Sequence, residues 1–343
     1  MSQAMEIVRL LGLARAARMK QRFDQALPYV RGYATCGCLW ALIEAGLLDR
    51  LLEADSVAVE DLTEGVDRQV LDSILTYLDG IGMIRVTGGR VRALPKLKRL
   101  MAEPRGLFEL TYAYAPIFSR LRDLLRGEAR YPDDVQRLGK YVGRGSGQLC
   151  RVLPYPVLAD MIHRRGSRLV LDLGCGDLAF LTYLCEAIPD IRAIGIDNDG
   201  PTVAYAREVL AASPYAERIE VREADMFRLS DLARERPDVD AITAVDTYHE
   251  YLSHGEGVVE GLLWKLRGTF AAAHLFVGEF CKQPHEKLRR RPTAFLEHHL
   301  FHDLTNQQIA DAPTWRALFA RAGLEILEEK VFDMVGHGYF VLR

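Results

Sequence analysis

Histidine is the residue type whose placement most strongly suggests chemistry in this chain of 343 residues. Eight of the nine histidines follow residue 248, and the first of these eight, His249, directly precedes Glu250. Three more lie in one short segment that is predicted to be helical: His298, His299 and His302. Their spacings of three and four residues place imidazoles on one helix face. Imidazole and carboxylate groups together predict either acid–base catalysis or metal binding.

Two imidazoles and one carboxylate form the ligand set typical of divalent or ferric ions with open coordination positions. His249, Glu250 and one histidine of the second group would supply such a set. We take His299 as the third ligand, with His298 and His302 as alternatives. This spacing is not a metal motif by itself. Hydrogen-bonded core histidines also explain it, so a metal ion is one of two interpretations.

A glycine turn in residues 170–179 carries the strongest cofactor signal. Gly174 and Gly176 follow an apolar strand, and glycine lets a backbone turn sharply and approach a ligand closely. This spacing also fits a dinucleotide-binding turn. However, Asp172 and Asp177 flank the glycines, so they would repel a pyrophosphate and stabilise a cationic ligand. The turn therefore favours the sulfonium and ammonium groups of S-adenosylmethionine.

Acidic residues also follow the next two predicted strands, at the strand ends where ligands of parallel sheets bind. Asp197 lies about 20 residues after the glycines, a spacing suited to accept both ribose hydroxyls. Asp225 could accept a hydrogen bond from the adenine amino group, and Met226 or Phe227 could cover the adenine ring. The predicted cofactor-binding residues are therefore Asp172, Gly174, Gly176, Asp197, Asn198, Asp225, Met226 and Phe227.

The candidate cofactor-binding and catalytic side chains must be positioned by regular elements, and the hydrophobic pattern after residue 168 predicts such elements. Apolar segments alternate with amphipathic helical segments, which predicts parallel strands joined by helices. The chain then ends in a predicted hairpin, residues 325–332 and 339–342. We therefore expect an α/β fold with a Rossmann-like, doubly wound, mostly parallel seven-stranded sheet. The five earlier strands are predicted at residues 169–173, 193–196, 219–222, 241–245 and 275–277.

The first 105 residues show a different, mainly helical pattern. Helices are predicted at residues 38–52 and 67–81, the second with Asp67 as its N-cap, and a hairpin follows at residues 83–94. This is the element order of a winged helix. Because the second helix carries three aspartates against one arginine, it would repel phosphates. We therefore expect protein–protein contact rather than DNA binding.

Between these regions, residues 106–165 are predicted to form a helical, aromatic-rich linker with a glycine-rich break at residues 140–147. This linker either packs as a simple connection or closes a substrate pocket. The predicted domains are thus a winged-helix dimerisation domain (1–105), a linker that contributes to the pocket (106–165) and a cofactor-binding domain (166–343).

Composition excludes several classes of protein. A formal net charge of -3 argues against binding nucleic acid through a basic surface. The apolar runs are too short to span a bilayer, and residues 1–6 lack the basic and apolar regions of a signal peptide. Six cysteines without a CxxC pair are typical of reduced thiols. We therefore expect a cytoplasmic protein without nucleic-acid or membrane partners.

The segment from Leu171 to Gly176, followed by Asp197 and Asp225, resembles the class I S-adenosylmethionine-dependent methyltransferases over about residues 168–343. The N-terminal module and the aromatic linker look like the dimerisation part of plant- and polyketide-type small-molecule O-methyltransferases. This resemblance implies a homodimer acting on a small molecule.

In those O-methyltransferases, a His-Asp-Trp-like segment carries the base that deprotonates a hydroxyl group. His249-Glu250-Tyr251 is similar, with Glu in place of Asp and Tyr in place of Trp. Glu279 corresponds to an acid that flanks the base. The resemblance therefore implies His249, Glu250 and Glu279 as catalytic residues.

Together with His249-Glu250, the segment Leu304-Thr305-Asn306-Gln307 is similar to a smaller branch, the 2-oxo-acid C-methyltransferases of nonribosomal-peptide precursor pathways. Membership would imply metal-assisted methylation at C3 of a 2-oxo acid in natural-product biosynthesis. Arg144 or another linker arginine would bind the substrate carboxylate. Two alternatives are a metal-free O-methyltransferase with His249 as general base, and a winged-helix regulator that senses S-adenosylmethionine.

Overall fold

The computed structural model describes residues 3–343. Met1 and Ser2, which belong to the segment used for the signal-peptide expectation, lie outside the described residues. The chain divides into two compact units, with the boundary between Tyr112 and Ala113. The three predicted domains remain a prediction.

The first unit is mainly helical and contains a small three-stranded sheet in the order β1-β3-β2. Its helices are α1 (Gln3–Leu11), α2 (Leu13–Glu44), α3 (Leu47–Glu53), α4 (Arg68–Gly80), α5 (Pro95–Leu100) and α6 (Arg105–Ala113). Its strands are β1 (Val57–Ala58), β2 (Ile84–Thr87) and β3 (Arg90–Ala93), and Glu60–Leu62 form a short 3-10 helix.

The local signals for helix α4 and the hairpin are realised in this unit. The Asp67 carboxylate accepts a hydrogen bond from the backbone N–H of Val70, so Asp67 caps α4. The expectation of one helix over residues 38–52 is wrong, because α2 ends at Glu44 and α3 starts at Leu47. The cause is Gly46, whose φ of 66° lies in the left-handed region that ends helices.

The second unit contains alternating strands and helices. Its helices are α7 (Ala115–Ser119), α8 (Leu121–Arg126), α9 (Gly139–Val152), α10 (Pro154–Arg164), α11 (Ala179–Ala187), α12 (Gly200–Ala211), α13 (Ser230–Glu235), α14 (His249–Leu252), α15 (Glu256–Thr269), α16 (His285–Arg290), α17 (Phe295–Leu304) and α18 (Ala312–Arg321). Its strands are β4 (Leu169–Leu173), β5 (Arg192–Asp197), β6 (Ile219–Glu223), β7 (Ala241–Val245), β8 (His274–Phe280), β9 (Ile326–Phe332) and β10 (His337–Leu342).

These seven strands form one sheet in the order β6-β5-β4-β7-β8-β10-β9. The first five in this order run parallel, while β10 pairs antiparallel with both β8 and β9. All five residues of β4 are buried, as expected for a central strand covered on both faces. The predicted fold class is confirmed. Because the strand order reverses beside β4, a ligand crevice is expected at the carboxyl ends of β4 and its neighbours.

The glycine-rich break predicted at residues 140–147 is wrong, because this segment lies inside helix α9. Glycine costs helical stability, but here it allows close packing. Gly147 is buried, and a Cβ atom at this position would lie 3.2 Å from the Cβ of Ala179 at the start of α11. Packing against α11 therefore overrides the low helix propensity of the segment.

No helix within residues 3–343 is both long and apolar enough to cross a membrane. All six cysteines are free thiols.

Candidate active site

The glycine turn after β4 is held against the end of β5. Gly174 has a φ of 74°, and its N–H and that of Cys175 both donate to the Ile196 carbonyl oxygen at 2.9 Å. Gly195 on β5 makes this approach possible, because a Cβ atom there would lie 2.8 Å from the Cys175 side chain. Gly195 was not identified from the sequence, because the Cys175 side chain for which it makes room lies 20 residues earlier in the chain.

Asp172 lies on the buried strand β4, beneath the glycine turn. The Thr243 hydroxyl donates to its carboxylate at 2.6 Å, and only 3% of Asp172 is exposed. Burial, together with the nearby Asp197 carboxylate, raises the pKa of Asp172 to about 7 despite that hydrogen bond. The predicted negative charge is therefore present only above about pH 7, unless a cation stabilises it.

The carboxyl ends of β5 and β6 carry the other predicted cofactor-binding residues. Asp197 accepts hydrogen bonds from the backbone N–H groups of Gly176 at 3.3 Å and Asp199 at 3.0 Å. Asn198 is exposed. The structure thus ties Asp197 directly to the glycine turn. Its role toward a ribose remains a prediction.

Asp225 follows β6 and accepts a hydrogen bond from the backbone N–H of Phe227 at 2.9 Å. Met226 and Phe227 are half-buried and pack against the core below. The ring of Phe227 meets that of Tyr251 edge-on, with centroids 5.2 Å apart. These side chains form an acidic and aromatic rim that would suit an adenine ring.

His249 forms a buried pair with Glu279 at the ends of β7 and β8. Its Nδ1–H donates to Glu279 Oε2 at 3.0 Å, which leaves Nε2 free. The other carboxylate oxygen of Glu279 accepts hydrogen bonds from the backbone N–H groups of Thr247, Tyr248 and His249. Burial opposes the positive charge of His249, but the Glu279 carboxylate more than offsets this, so the pKa of His249 is raised. Glu279 therefore fixes the ring and tautomer of His249.

Glu250 faces the same region and is held by two side chains. Arg137 Nη2 donates to Glu250 Oε1 at 3.0 Å, and Gln307 Nε2 donates to the same oxygen at 2.6 Å. Burial raises the pKa of Glu250, but the charges of Arg137 and His249 outweigh it and lower the pKa overall. Glu250 is thus a carboxylate at neutral pH, and one of its oxygens lies 4.0 Å from His249 Nε2.

Of the three histidines on α17, His302 lies against His249, with ring centroids 5.1 Å apart. His302 Nδ1–H donates to the His298 carbonyl oxygen at 2.8 Å, so Nε2 carries the free lone pair. Burial, and secondarily the charge of His249, lower the pKa of His302 to about 3, which keeps the ring neutral. A neutral imidazole with a fixed tautomer is a suitable metal ligand.

His299 is placed differently from the expectation. Its ring meets Phe295 edge-on, and its electrostatic neighbours are Lys282 and Asp303 rather than His249. The structure therefore favours His302 as the candidate third ligand. In the part of the chain that the structure describes, no group of three or more His, Cys, Asp or Glu side chains is arranged to hold a metal ion.

Phe280 organises this cluster of histidines. Its ring lies within 5.4 Å of four imidazoles, measured between centroids: those of His249, His298, His302 and His337. Sequence reasoning missed Phe280, Arg137 and His337 as site residues. The excess of histidines near the C-terminus was the only sequence signal for this cluster. No local pattern could identify Arg137, because it lies 113 residues from Glu250.

Comparisons with known proteins identify a methyltransferase domain in the chain. Residues 170–262 match the family model described as a methyltransferase domain. The 2-ketoarginine methyltransferase of Streptomyces arginensis is 28% identical over 323 residues, covering 91% of this chain and 91% of that relative. Methyltransferase ungE' of Aspergillus campestris (strain IBT 28561) is 23% identical over 341 residues, covering 93% and 94%.

Solved structures share the fold over almost the whole chain. The mitomycin 7-O-methyltransferase MmcR has a TM-score of 0.64 at 15% identity, covering 95% of this chain and 99% of that one. Human N-acetylserotonin methyltransferase, solved with S-adenosylmethionine, has a TM-score of 0.66 at 16% identity, covering 94% and 97%. Residues 170–262 therefore form a methyltransferase domain, the chain shares the fold of these solved enzymes, and it is an S-adenosylmethionine-dependent methyltransferase.

Proposed function

We propose that this enzyme methylates C3 of a 2-oxo acid, with a divalent or ferric ion as a second cofactor, in natural-product biosynthesis. The observation that carries the proposal is the grouping of His249, Glu250 and His302 beside Arg137. A curated relative named 2-ketoarginine methyltransferase supports the substrate class. The six free thiols support a reducing, cytoplasmic location.

The donor types of three side chains suit a metal ion, although their arrangement in residues 3–343 does not itself form a metal site. His249 and His302 each have Nδ1 engaged in a hydrogen bond and Nε2 free, and Glu250 supplies a carboxylate near His249 Nε2. These three side chains would hold the ion. When bound, it would polarise the 2-oxo group and acidify the C3 proton.

The chain's own residues would then position the reactants. Arg137 is buried against Glu250, with 20% of its side chain exposed, and its guanidinium can pair with the substrate carboxylate. The glycine turn and the carboxylates of Asp172 and Asp197 would hold the methyl donor. The carbon nucleophile attacks the sulfonium methyl group in line, so a C–C bond forms as the C–S bond breaks. Catalysis here depends mostly on positioning and charge stabilisation.

The direct test is incubation with methyl-labelled S-adenosylmethionine and a panel of 2-oxo acids and phenols, read by mass spectrometry. We expect a C-methylated 2-oxo acid, and loss of this product when a chelator removes the metal. A phenol methyl ether formed at full rate in chelator would instead establish the metal-free alternative, in which His249 is the general base.

The metal ligands are tested by comparing two histidines of helix α17. His302→Ala should lose bound metal in elemental analysis, because it removes a neutral Nε2 donor next to His249. His299→Ala is the matched control and should retain the metal, because its ring contacts Phe295 instead. Equal metal loss in both variants would contradict the assignment of His302.

We also propose that the enzyme is a homodimer formed through the N-terminal unit. Helix α2 has 32 residues, yet its buried residues are Leu39, Leu42 and Ile43, all near its C-terminal end. Large apolar side chains remain exposed along the rest of α1 and α2, including Leu10, Leu13, Phe23, Tyr29 and Tyr33. Such a long exposed apolar surface is typical of a protein–protein interface.

A further inference from the structure

A second buried acid–histidine pair lies at the end of β7, and the proposed function leaves it without a role. His337 Nε2 lies 2.6 Å from Asp246 Oδ1, and the Cys150 thiol donates to Asp246 Oδ2 at 3.3 Å. His337 is 3% exposed. Because an ionised carboxylate only accepts hydrogen bonds, Nε2 carries the proton and Nδ1 carries the lone pair.

That lone pair has no partner. Within residues 3–343, Nδ1 of His337 is a buried nitrogen without a hydrogen bond. Buried polar atoms are almost always paired, so this unpaired acceptor requires an explanation, and a catalytic role supplies one. Asp246 also has a φ of 51°, a left-handed conformation that non-glycine residues rarely adopt and that is concentrated at functional sites.

The pair connects the glycine turn with the part of the histidine cluster that contains His249. Thr247, the next residue after Asp246, packs on the turn, since a Cβ atom on Gly174 would lie 3.2 Å from its methyl carbon. On the other side, the His337 ring is 5.2 Å from that of Phe280, whose ring is 5.1 Å from that of His249. In the proposed reaction, we expect the methyl acceptor to lie in this interval, because it has to reach both the methyl donor and the substrate-activating groups.

His249 cannot supply the base in the proposed reaction. Its Nδ1 is occupied by Glu279, and its Nε2 belongs to the proposed metal ligands. Arg137 is a permanent cation. The carboxylate of Glu250 is already engaged by Arg137 and Gln307. Among these groups, it is therefore His337 that supplies the base: its Nδ1 has a free lone pair, and the Asp246 carboxylate orients its ring.

We propose that His337, oriented by Asp246, is the base that removes the C3 proton of the 2-oxo acid. This inference rests on the proposed function. The C3–H bond breaks, its electron pair stays with the carbon skeleton, and the proton moves to Nδ1. The carbon then forms a bond to the methyl group, while the C–S pair returns to sulfur and yields S-adenosylhomocysteine. The imidazolium is balanced by Asp246 and returns its proton to solvent after the product leaves.

The charge of Asp246 supports this arrangement. The groups that face it are His337 from β10, Cys150 from α9 and, at longer range, His249. Burial raises the pKa of Asp246, but the two histidines outweigh it and lower the pKa overall. Asp246 therefore remains ionised when His337 gains the proton, and it can stabilise that imidazolium, as the carboxylate does in other acid–histidine pairs. Asp246 is a positioning residue in this scheme, because it acts through His337.

The test separates proton removal from methyl transfer. Phenylpyruvate and 2-oxo-5-guanidinopentanoate are incubated in D₂O with the metal-loaded enzyme and S-adenosylhomocysteine, and loss of the C3–H signal is followed by NMR. His337→Gln should slow the exchange by about a hundredfold or more, the usual contribution of a general base. Asp246→Asn should slow it to a smaller extent. Both variants should bind S-adenosylmethionine within about threefold of the wild type.

His274→Gln is the matched control, because His274 begins β8 at the opposite end of the sheet, paired with Ala241. It should exchange C3–H at the wild-type rate. Exchange at the wild-type rate in His337→Gln or in Asp246→Asn overturns the inference. Loss of S-adenosylmethionine binding in both variants would assign the pair a structural role and also overturn it. A wild-type enzyme that neither exchanges nor methylates either acid overturns the proposed function itself.

Discussion

At the residue scale, Asp197 shapes the glycine turn from the end of β5, and we propose that it also binds the ribose hydroxyls of the cofactor. Its carboxylate accepts a hydrogen bond from the Gly176 N–H, and the residue is half-exposed. Hydrogen bonds to a charged group contribute about 1.5–3 kcal/mol each. Loss of this carboxylate should therefore lower stability modestly through the turn, and under the proposed ribose contact it should weaken cofactor binding more strongly.

Asp197→Ala should weaken S-adenosylmethionine binding by about ten- to a hundredfold, as measured by calorimetry, with little change in the melting temperature. The matched control is Asp190→Ala. Asp190 is an exposed aspartate just before the amino end of β5, whereas Asp197 lies at its carboxyl end. An unchanged dissociation constant in Asp197→Ala would show that Asp197 does not contact the cofactor.

Asp172 should make cofactor binding depend on pH. With a pKa of about 7 in the free enzyme, its carboxyl is protonated below that pH. A bound sulfonium and ammonium favour the ionised form, so binding at low pH must release a proton. We expect the affinity for S-adenosylmethionine to fall as the pH drops from 8 to 6, by at most about tenfold per pH unit.

The matched variant Asp172→Asn should bind with little pH dependence over this range, because its side chain does not titrate. In calorimetry, the wild-type binding heat near pH 6 should change with the ionisation enthalpy of the buffer, and that of the variant should not. A wild-type affinity that is flat between pH 6 and 8 would contradict a role for Asp172 near the cofactor charge.

Sequence alone predicts a residue well when its signal is local. Gly174 and Gly176 belong to one short turn, and the structure shows the left-handed φ values that turn requires. Arg137 and His337 were missed, because their partners Glu250 and Asp246 are 113 and 91 residues away. The choice among His298, His299 and His302 depends on how α17 is rotated against Phe280, which periodicity does not specify.

At the element scale, helix α9 shows where propensity fails. Its glycines suggest a break, but two of them differ in their surroundings. Gly143 is exposed and a Cβ atom there would meet nothing within 4 Å, while Gly147 packs against Ala179. Only the structure separates a glycine that costs stability from one that permits packing.

This difference gives a paired prediction for α9. Gly143→Ala should stabilise the protein by about 0.5–1 kcal/mol, the usual gain when glycine is replaced in an exposed helix interior. Gly147→Leu should destabilise it by about 1–3 kcal/mol, because the larger side chain overpacks the contact with Ala179. Urea denaturation measures both. Similar effects of the two changes would mean that α9 does not pack closely on α11.

The strands of the sheet were predicted nearly residue for residue, because buried parallel strands are short apolar runs. Strand β4 spans the predicted residues 169–173, while β8 extends three residues beyond its predicted end at 277. The difference arises from Glu279, a buried acid that interrupts the apolar pattern but is satisfied by His249 and three backbone N–H groups. Because Glu279 is polar, the apolar pattern did not indicate that β8 continues to Phe280, beside the candidate site.

At the scale of the whole molecule, the two units contribute different properties. The second unit contains the cofactor turn, the histidine cluster and the sheet whose strand order reverses beside β4. The first unit exposes large apolar side chains along helices α1 and α2. Exposed side chains as large as Tyr29 and Tyr33, at 82% and 83%, are costly in an isolated chain. A second copy of the chain would remove this cost.

The dimer can therefore be tested without touching the catalytic unit. Light scattering should give the wild type twice the chain mass of 38.6 kDa. The double variant Leu13→Glu/Phe23→Glu should shift toward the monomer, because charges on an apolar interface must be desolvated without partners. Leu125→Glu is the matched control, since Leu125 is also an exposed leucine but lies on α8, outside the proposed interface. It should remain dimeric. A wild type that runs as a monomer at micromolar concentration would show that this helix face has another partner.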